Sequence, residues 1–269
     1  MREYKHIWGQ GIVDADKKDL SALKLRRCMQ NLKIKSGNVI EIGCGAGRFI
    51  RSVKALRPRL NCYGCDIDEA SINAAKSYKD GISYAVADAD SLPYKKDFFD
   101  AVLMFDIVEH VGDTGKLLSE VLRVARKNAI IHIYVPCEGE PLTLHWLLWK
   151  IRLGHNLKKK HAGHVQRFTK KGFIDAINKN FEIKNIQYST YLIGQLIDIL
   201  FYALQEIGPF KKKLLSAHVS KDAKNEKESI AKKIMKGIIN LAFLISYSES
   251  RIFKMGLFAQ GLHITCLKK

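Results

Sequence analysis

The sequence is short of acid, of paired cysteine and of long apolar runs. Against 45 Lys and Arg it sets 27 Asp and Glu, which leaves a formal charge of +18. The shortage is local. Residues 1–150 hold 23 basic and 19 acidic side chains, net +4, whereas residues 151–269 hold 22 and 8, net +14. Such a field attracts anionic partners: nucleic acid, an anionic membrane face or acidic substrates. The six cysteines (Cys28, Cys44, Cys62, Cys65, Cys137 and Cys266) are scattered, which excludes a disulfide-stapled framework. Cys62-Tyr63-Gly64-Cys65 is a lone CxxC with no second pair. A structural zinc site needs four ligands, so these thiols are expected to pack in a buried strand. The opening MREYKHIWGQ lacks the apolar core of a signal peptide, and reduced thiols in a cytoplasmic protein are the expectation. No segment supplies the roughly twenty predominantly apolar residues of a spanning helix. At 269 residues and 47% hydrophobic, the chain is neither disordered nor collagen-like. It has the size of one large domain, or of one domain with a sizeable insertion.

What is present is an alternation. Leu20, Leu23, Cys28 and Leu32 recur at helical spacing. A short apolar run over 38–43 ends in glycines. Residues 48–56 read as a helix that Pro58 stops. Strand-like runs follow at 60–66, 82–87, 98–105 and 129–135, with helical stretches at 69–77 and 114–124 between them. Strands separated by helices predict βαβ units and a parallel sheet. Ligands of such sheets sit beyond the carboxyl ends of the strands.

The sharpest signal is the loop Glu41-Ile42-Gly43-Cys44-Gly45-Ala46-Gly47. Glycines let the chain turn tightly and let a ligand approach bare backbone. The dinucleotide fingerprint needs G-x-G-x-x-G, but here the sixth position is Arg48. Asp66 ends the second strand, where a carboxylate can accept both hydroxyls of a ribose. Asp88 ends the third, within reach of an adenine amino group.

With these pieces the chain resembles class I S-adenosylmethionine-dependent methyltransferases, in particular the group that includes quinone-biosynthesis and other small-molecule enzymes. The matching segments are VIEIGCGAGRF at 39–49, YGCDID at 63–68, VADADSLPYKKDFFDAVLMFDIVEHV at 86–111 and HVQRFTKKGF at 164–173. The resemblance implies an α/β, Rossmann-like sheet of seven strands with the last antiparallel. It implies S-adenosyl-L-methionine as cofactor, with roles position by position. Glu41 would orient the methionine amino group through the loop, and Gly43 and Gly45 would let the cofactor lie against backbone. Asp66 would hold the ribose and Ile67 would stack on the adenine. Asp88 would meet the adenine amino group, with Ala89 donating from its backbone. Phe105 and Asp106 would close the methionine end.

Methyl transfer from a sulfonium is an in-line displacement, so the protein mainly positions donor and acceptor. A hydroxyl acceptor also needs a base. His110, after the fourth strand, is one candidate. His164, which begins the HVQRF segment, is the second. Asp106, Glu109 and His110 could gather a divalent ion, but one carboxylate pair and one histidine are too few to argue a metal. Cys137 follows a proline, as in cytosine-C5 methyltransferases, yet stands without the rest of that pattern and reads as a buried packing residue.

The second half carries the distinctive feature. A helix at 169–178 and a strand at 181–188 precede a closing strand at 261–267. About seventy residues intervene, far beyond a hairpin loop. The expected organisation is therefore an N-terminal helical segment at 1–35, a core at 36–190 and 257–269, and a helical insertion at 191–256. Within the insertion, 191–207 is nearly all apolar, with Gln195, Asp198, Gln205 and Glu206 as a thin polar stripe. Residues 211–228 are Lys-rich and read as a loop. Residues 230–253 set Ile230, Ile234, Ile238, Leu241 and Ile245 opposite Lys232, Lys233 and Lys236. A basic amphipathic helix beside an apolar one is the pattern of an anchor at an anionic membrane surface; a helical lid or a dimer interface is the rival. Nucleic acid fits the charge but not the pattern, because the lysines accompany apolar faces rather than exposed aromatics.

The expected activity is methyl transfer, O-methylation in the first place, to a hydrophobic or membrane-resident small molecule: a quinone precursor, isoprenoid, glycolipid or lipid-linked sugar. The alternatives are a soluble natural product or RNA as acceptor, and a peripheral membrane protein that binds the cofactor without turnover.

Overall fold

The computed structural model describes residues 7–152, 157–206 and 230–269. The Lys-rich stretch expected as a loop at 211–228 lies outside them.

The strands are β1 (Gly37–Ile42), β2 (Leu60–Asp66), β3 (Ser83–Val86), β4 (Phe99–Phe105), β5 (Ala125–Pro136), β6 (Phe181–Ser189) and β7 (Gly261–Lys268). They form one sheet in the order β3-β2-β1-β4-β5-β7-β6. β1 to β5 pair in parallel; β7 lies antiparallel between β5 and β6. The expected seven-stranded sheet with an antiparallel last strand is what forms. The order reverses beside β1 and β4, which opens a crevice at their carboxyl ends.

Period-two alternation splits the core between the faces of the sheet. On one face Ile40, Ile42, Val102, Met104, Ile131 and Ile133 pack with Leu117, Val121 and Phe173. These come from α4 (Thr114–Val124) and, after the short helices α5 (Leu144–Lys150) and α6 (Leu157–His161), from α7 (Lys170–Asn178). On the other, Val39, Leu103 and Phe105 pack with Leu25 and Cys28 of α1 (Leu20–Asn31) and with Phe49, Ile50 and Val53 of α2 (Arg48–Leu56). Burying each such side chain stabilises the fold by about 1.5–3 kcal/mol. The N-terminal helix is thus part of the core, not an appendage. All six cysteines are free and buried, so the CxxC pair packs as expected.

Side-chain caps set where the helices begin. Asp19 accepts from Ala22 N at 2.8 Å, and Asp68 from Ser71 N at 3.0 Å at the start of α3 (Glu69–Ser77). Asp113 and Thr169 cap α4 and α7 in the same way. One boundary differs from expectation. β5 starts at Ala125, four residues early, because the polar Arg126-Lys127-Asn128 run enters the strand across a register shift opposite Phe99 and Ala101. Asn128 takes a positive φ of 62° there.

Between β6 and β7 the chain builds α8 (Leu192–Glu206) and α9 (Ile230–Ile252), which pack on each other. α8, and α9 over residues 241–252, are inverted. α8 buries Gln195 and turns Leu192, Leu196, Leu200 and Phe201 outward. α9 buries Ser246 and Ser250 and turns Leu241, Leu244, Ile245 and Ile252 outward. The usual arrangement puts the apolar stripe inward. Polar bonds seat both helices. Gln195 Nε2 donates to Thr190 O at 3.1 Å and Phe258 O at 2.7 Å. Arg27 donates to Ser250 O at 2.9 Å. No helix among the described residues is long and apolar enough to cross a membrane.

Candidate active site

The glycine loop joins β1 to α2 at the crevice. Gly43, Gly45 and Gly47 all have positive φ, at 72°, 53° and 85°. A Cβ on Gly43 would lie 2.6 Å from Ile107 Cγ1, and one on Gly45 would lie 2.7 Å from the Trp8 carbonyl oxygen. Glycine is therefore required twice over, by conformation and by space. The Trp8 carbonyl also accepts from Ala46 N at 2.8 Å, so residues 8–9 brace the loop from outside. No spacing or motif in the sequence signals that contact.

Asp66 closes the loop from the end of β2. Its Oδ2 accepts from Gly45 N at 2.7 Å and its Oδ1 from Asp68 N at 2.9 Å. Ile67, beside it, is 59% exposed, an uncovered apolar side chain next to the carboxylate. Asp88 and Ala89 follow β3, and Asp88 is exposed. Bare backbone, a strand-end carboxylate, an exposed apolar side chain and a second carboxylate lie along one edge. S-adenosylmethionine would find here a carboxylate for its ribose at Asp66, Ile67 and Asp88 beside its adenine, and bare backbone at Gly43 and Gly45.

Glu41 is buried, and its Oε2 accepts from Ile50 N, in the first turn of α2, at 2.7 Å. It thereby fastens the loop to the helix. Burial pushes its carboxyl up to about 8, against the pull of the Ile50 N–H and Arg48. The folded state therefore holds a proton that the unfolded chain releases near 4.5. Stability contributed by this group falls as pH rises from there through about 8, by at most about 1.4 kcal/mol per pH unit. Glu41→Gln should remove that fall. Urea midpoints at pH 5 and pH 8 are expected to show the native chain losing ground to the variant; a constant difference would refute the burial effect.

Asp106 ends β4 with a positive φ of 52°, and its Oδ2 lies 2.5 Å from Lys24 Nζ. That ammonium also sits 3.7 Å above the Tyr134 ring. The partner comes from α1, which sequence reading did not connect with the site. Phe105 is placed differently from its neighbour. Its ring stacks on Phe49 at 4.2 Å inside the core, so only its backbone can reach the cleft.

Beyond β4 and β5 a second group of side chains comes together. The 3-10 turn Val108–His110 follows β4. The HVQRF segment is bonded along it. Val165 N and Gln166 N donate to Glu109 O at 2.9 and 3.2 Å, and Gln166 Nε2 donates to Val111 O at 2.6 Å. This brings the His110 and His164 rings edge to face at 4.9 Å, although they are 54 positions apart. His164 Nδ1 lies 2.7 Å from Glu138 Oε1, and its Nε2 faces Glu109 Oε1 at 3.9 Å. Glu138, on the loop after β5, is 4% exposed and pairs with Lys158 at 3.0 Å. Burial opposes its ionisation, but Lys158 and His164 hold its carboxyl down to about 2. Burial and the neighbouring His164 push His110 down to about 4, so its ring is neutral at pH 7.

Glu109 is 1% exposed and neither of its oxygens accepts a hydrogen bond. Burial, with Asp106 nearby, pushes its carboxyl well up. Glu109, His110 and His164 each offer a ligand atom within 4.8 Å of the others. His164 thus stands where the sequence offered Asp106, which pairs with Lys24 instead, and these three ligand atoms lie close enough together that they could hold a divalent cation. Cys137 is different. It is fully buried, and burial pushes its thiol well up, so it is no nucleophile at neutral pH.

The comparisons with known proteins agree with this geometry. Residues 40–133 match the family described as "Methyltransferase domain". Norajmaline N-methyltransferase of Rauvolfia serpentina is 32% identical over 118 residues, which cover 42% of this chain and 40% of that protein. The ubiquinone biosynthesis O-methyltransferase of Pelagibacter ubique is 34% identical over 104 residues, covering 37% and 42%. The chain thus spans about two fifths of the length of these curated relatives. Among solved structures, the geranyl diphosphate C-methyltransferase of Streptomyces coelicolor has a complex with Mg2+, geranyl diphosphate and S-adenosyl-L-homocysteine. That structure superposes with a TM-score of 0.58 at 13% identity, over 93% of this chain and 81% of its own. Over residues 40–133 the chain matches a methyltransferase domain, and its sheet order, glycine loop and strand-end carboxylates have the form of the class I S-adenosylmethionine-dependent methyltransferase fold.

Proposed function

We propose that the chain transfers the methyl group of S-adenosylmethionine to a hydroxyl of a hydrophobic small molecule drawn from an anionic membrane surface. The observation that carries this reading is the double use of α8. Its Asp198 reaches into the polar group behind His164, 2.5 Å from Lys158 Nζ. Its Leu192, Leu196, Leu200 and Phe201 face outward. The same helix walls the site and offers an apolar surface.

The cofactor supplies a methyl group already activated by its sulfonium, so chemistry reduces to in-line approach and one proton. Asp66 and the glycine loop hold the donor. His164, oriented by Glu138, takes the acceptor proton on Nε2 while the acceptor oxygen forms its bond to the methyl carbon. The cofactor's sulfur would keep the electron pair of the carbon–sulfur bond. The ubiquinone-pathway relative supports a phenolic hydroxyl of a quinone precursor as acceptor. The norajmaline relative is an N-methyltransferase, which makes an amine the alternative acceptor group.

The membrane reading rests on inverted helices and charge. Large outward apolar surfaces mark interaction sites, and they extend from α8 and α9 to Leu147, Trp149 and Ile151 after β5. The +14 carried by residues 151–269 suits anionic headgroups. Sedimentation with phosphatidylglycerol vesicles should pull down the chain, less so as salt rises. Leu196→Ser with Leu200→Ser should weaken binding at least about tenfold, from about 1.5 kcal/mol or more per buried leucine. Equal binding by the variant, or binding to neutral vesicles alone, would refute it.

The unpartnered oxygens of Glu109 favour a second reading of the chemistry. There Glu109, His110 and His164 hold a divalent cation that would acidify the acceptor hydroxyl. Dialysis against EDTA separates the two. The base reading predicts an unchanged rate; the metal reading predicts a loss that Mg2+ or Zn2+ restores.

A further inference from the structure

Asp198 stands mid-way along α8 with its side chain turned inward. Its Oδ2 lies 2.5 Å from Lys158 Nζ and 3.0 Å from His145 Nε2. Lys158 Nζ lies 3.0 Å from Glu138 Oε1, and that same oxygen lies 2.7 Å from His164 Nδ1. Carboxylate, ammonium, carboxylate and imidazole therefore run unbroken from the insertion to His164. The middle members are closed off: the side chains of Lys158, Glu138 and His164 are all at or below about a tenth exposed.

In such surroundings the division of charge matters. A buried ammonium must be compensated by anions at contact distance. Lys158 has two, one from the loop after β5 and one from α8. With both in place, Glu138 shares its oxygen between Lys158 and His164. Without Asp198, Glu138 becomes the only carboxylate within ion-pair distance of Lys158 among the described residues, and the ammonium competes with His164 for it. Among the described residues, Glu138 is the charged group at the Nδ1 edge of that ring. The opposite edge faces Glu109 at 3.9 Å, and His110 packs against the ring face.

We propose that Asp198 is a positioning residue for His164, acting through Lys158 and Glu138, so that the seated insertion completes the catalytic centre. The proposal rests on His164 acting as the base, but its test does not need turnover. A merely structural ion pair would fasten α8 and leave the imidazole as it is. A positioning role fixes which ring nitrogen carries the proton.

The test is a long-range proton–nitrogen correlation spectrum of the full chain, labelled at histidine nitrogens and saturated with S-adenosylhomocysteine. In alkaline buffer the native His164 is expected as one tautomer, protonated on Nδ1 and bare on Nε2. In Asp198→Asn its two nitrogen resonances should move toward each other as the tautomers mix, and Asp198→Glu should restore the native pattern. Native His164 resonances in Asp198→Asn would overturn the proposal. If that variant does not fold, neutron diffraction on the native chain decides. Deuterons on His164 Nδ1, and from Lys158 toward both Asp198 and Glu138, are required; a bare Nδ1 contradicts the proposal. Calorimetric binding of S-adenosylhomocysteine and methyl transfer by the native chain test the underlying activity separately.

Discussion

Replacing His164 with alanine is expected to lower methyl transfer by about 10²-fold to 10⁴-fold, the usual worth of a positioned general base. Cofactor binding should stay as in the native chain. The separation follows from placement. His164 belongs to the group beyond β4 and β5, held by Glu138 at 2.7 Å, whereas the residues fitted to the cofactor's ribose and adenine lie at the ends of β2 and β3. Glu138→Gln should cost less, about tenfold to a hundredfold by analogy with other residues that orient a histidine. It leaves the ring in place but removes the charge behind it. Single-turnover transfer of labelled methyl, with calorimetry of the cofactor in parallel, reads both quantities. A native rate in His164→Ala would dismiss the base. A fall in cofactor affinity equal to the fall in rate would mean that the ring merely holds the cleft together.

The second large effect is expected at Asp66. Its alanine variant should lose at least about a hundredfold in S-adenosylmethionine affinity. Hydrogen bonds to a charged group are worth about 1.5–3 kcal/mol each, and a ribose offers two hydroxyls to one carboxylate. A further loss comes from the loop itself, since Asp66 also accepts from Gly45 N and Asp68 N. Asp66→Asn keeps one acceptor oxygen and should fall between. Near-native affinity in Asp66→Ala would place the cofactor elsewhere.

Most of the candidate cofactor edge was legible as geometry because local chemistry fixes it. Three glycines with positive φ and a carboxylate closing each of two strands need only the sequence of each βα unit. The helix starts were legible for the same reason, through Asp68 and Thr169 as caps. The acceptor side was not. Lys24, Glu138 and Lys158 reach the site only through tertiary packing, and no spacing joins Glu138 to His164. Phe105 shows the limit in the other direction. Its motif position pointed to the cleft, yet strand alternation sends its ring to Phe49. The insertion was read as two helices with correct approximate bounds, but periodicity gives only an amphipathic axis. Which face turns inward depends on partners, and here the inward face of α8 is the polar one, because Lys158, His145 and the Leu144 N–H await it.

On the proposed reading, this cleft carries out methyl transfer to a membrane-borne acceptor. The most direct test of that reading is incubation of the native chain and His164→Ala with S-adenosylmethionine labelled in the methyl group, on vesicles made from a total lipid extract. Label is expected in the organic phase with the native chain, and about a hundredth of it or less with the variant. Tight cofactor binding with no label in either the lipid or the aqueous products would contradict it, and would leave a protein that holds the cofactor without turning it over.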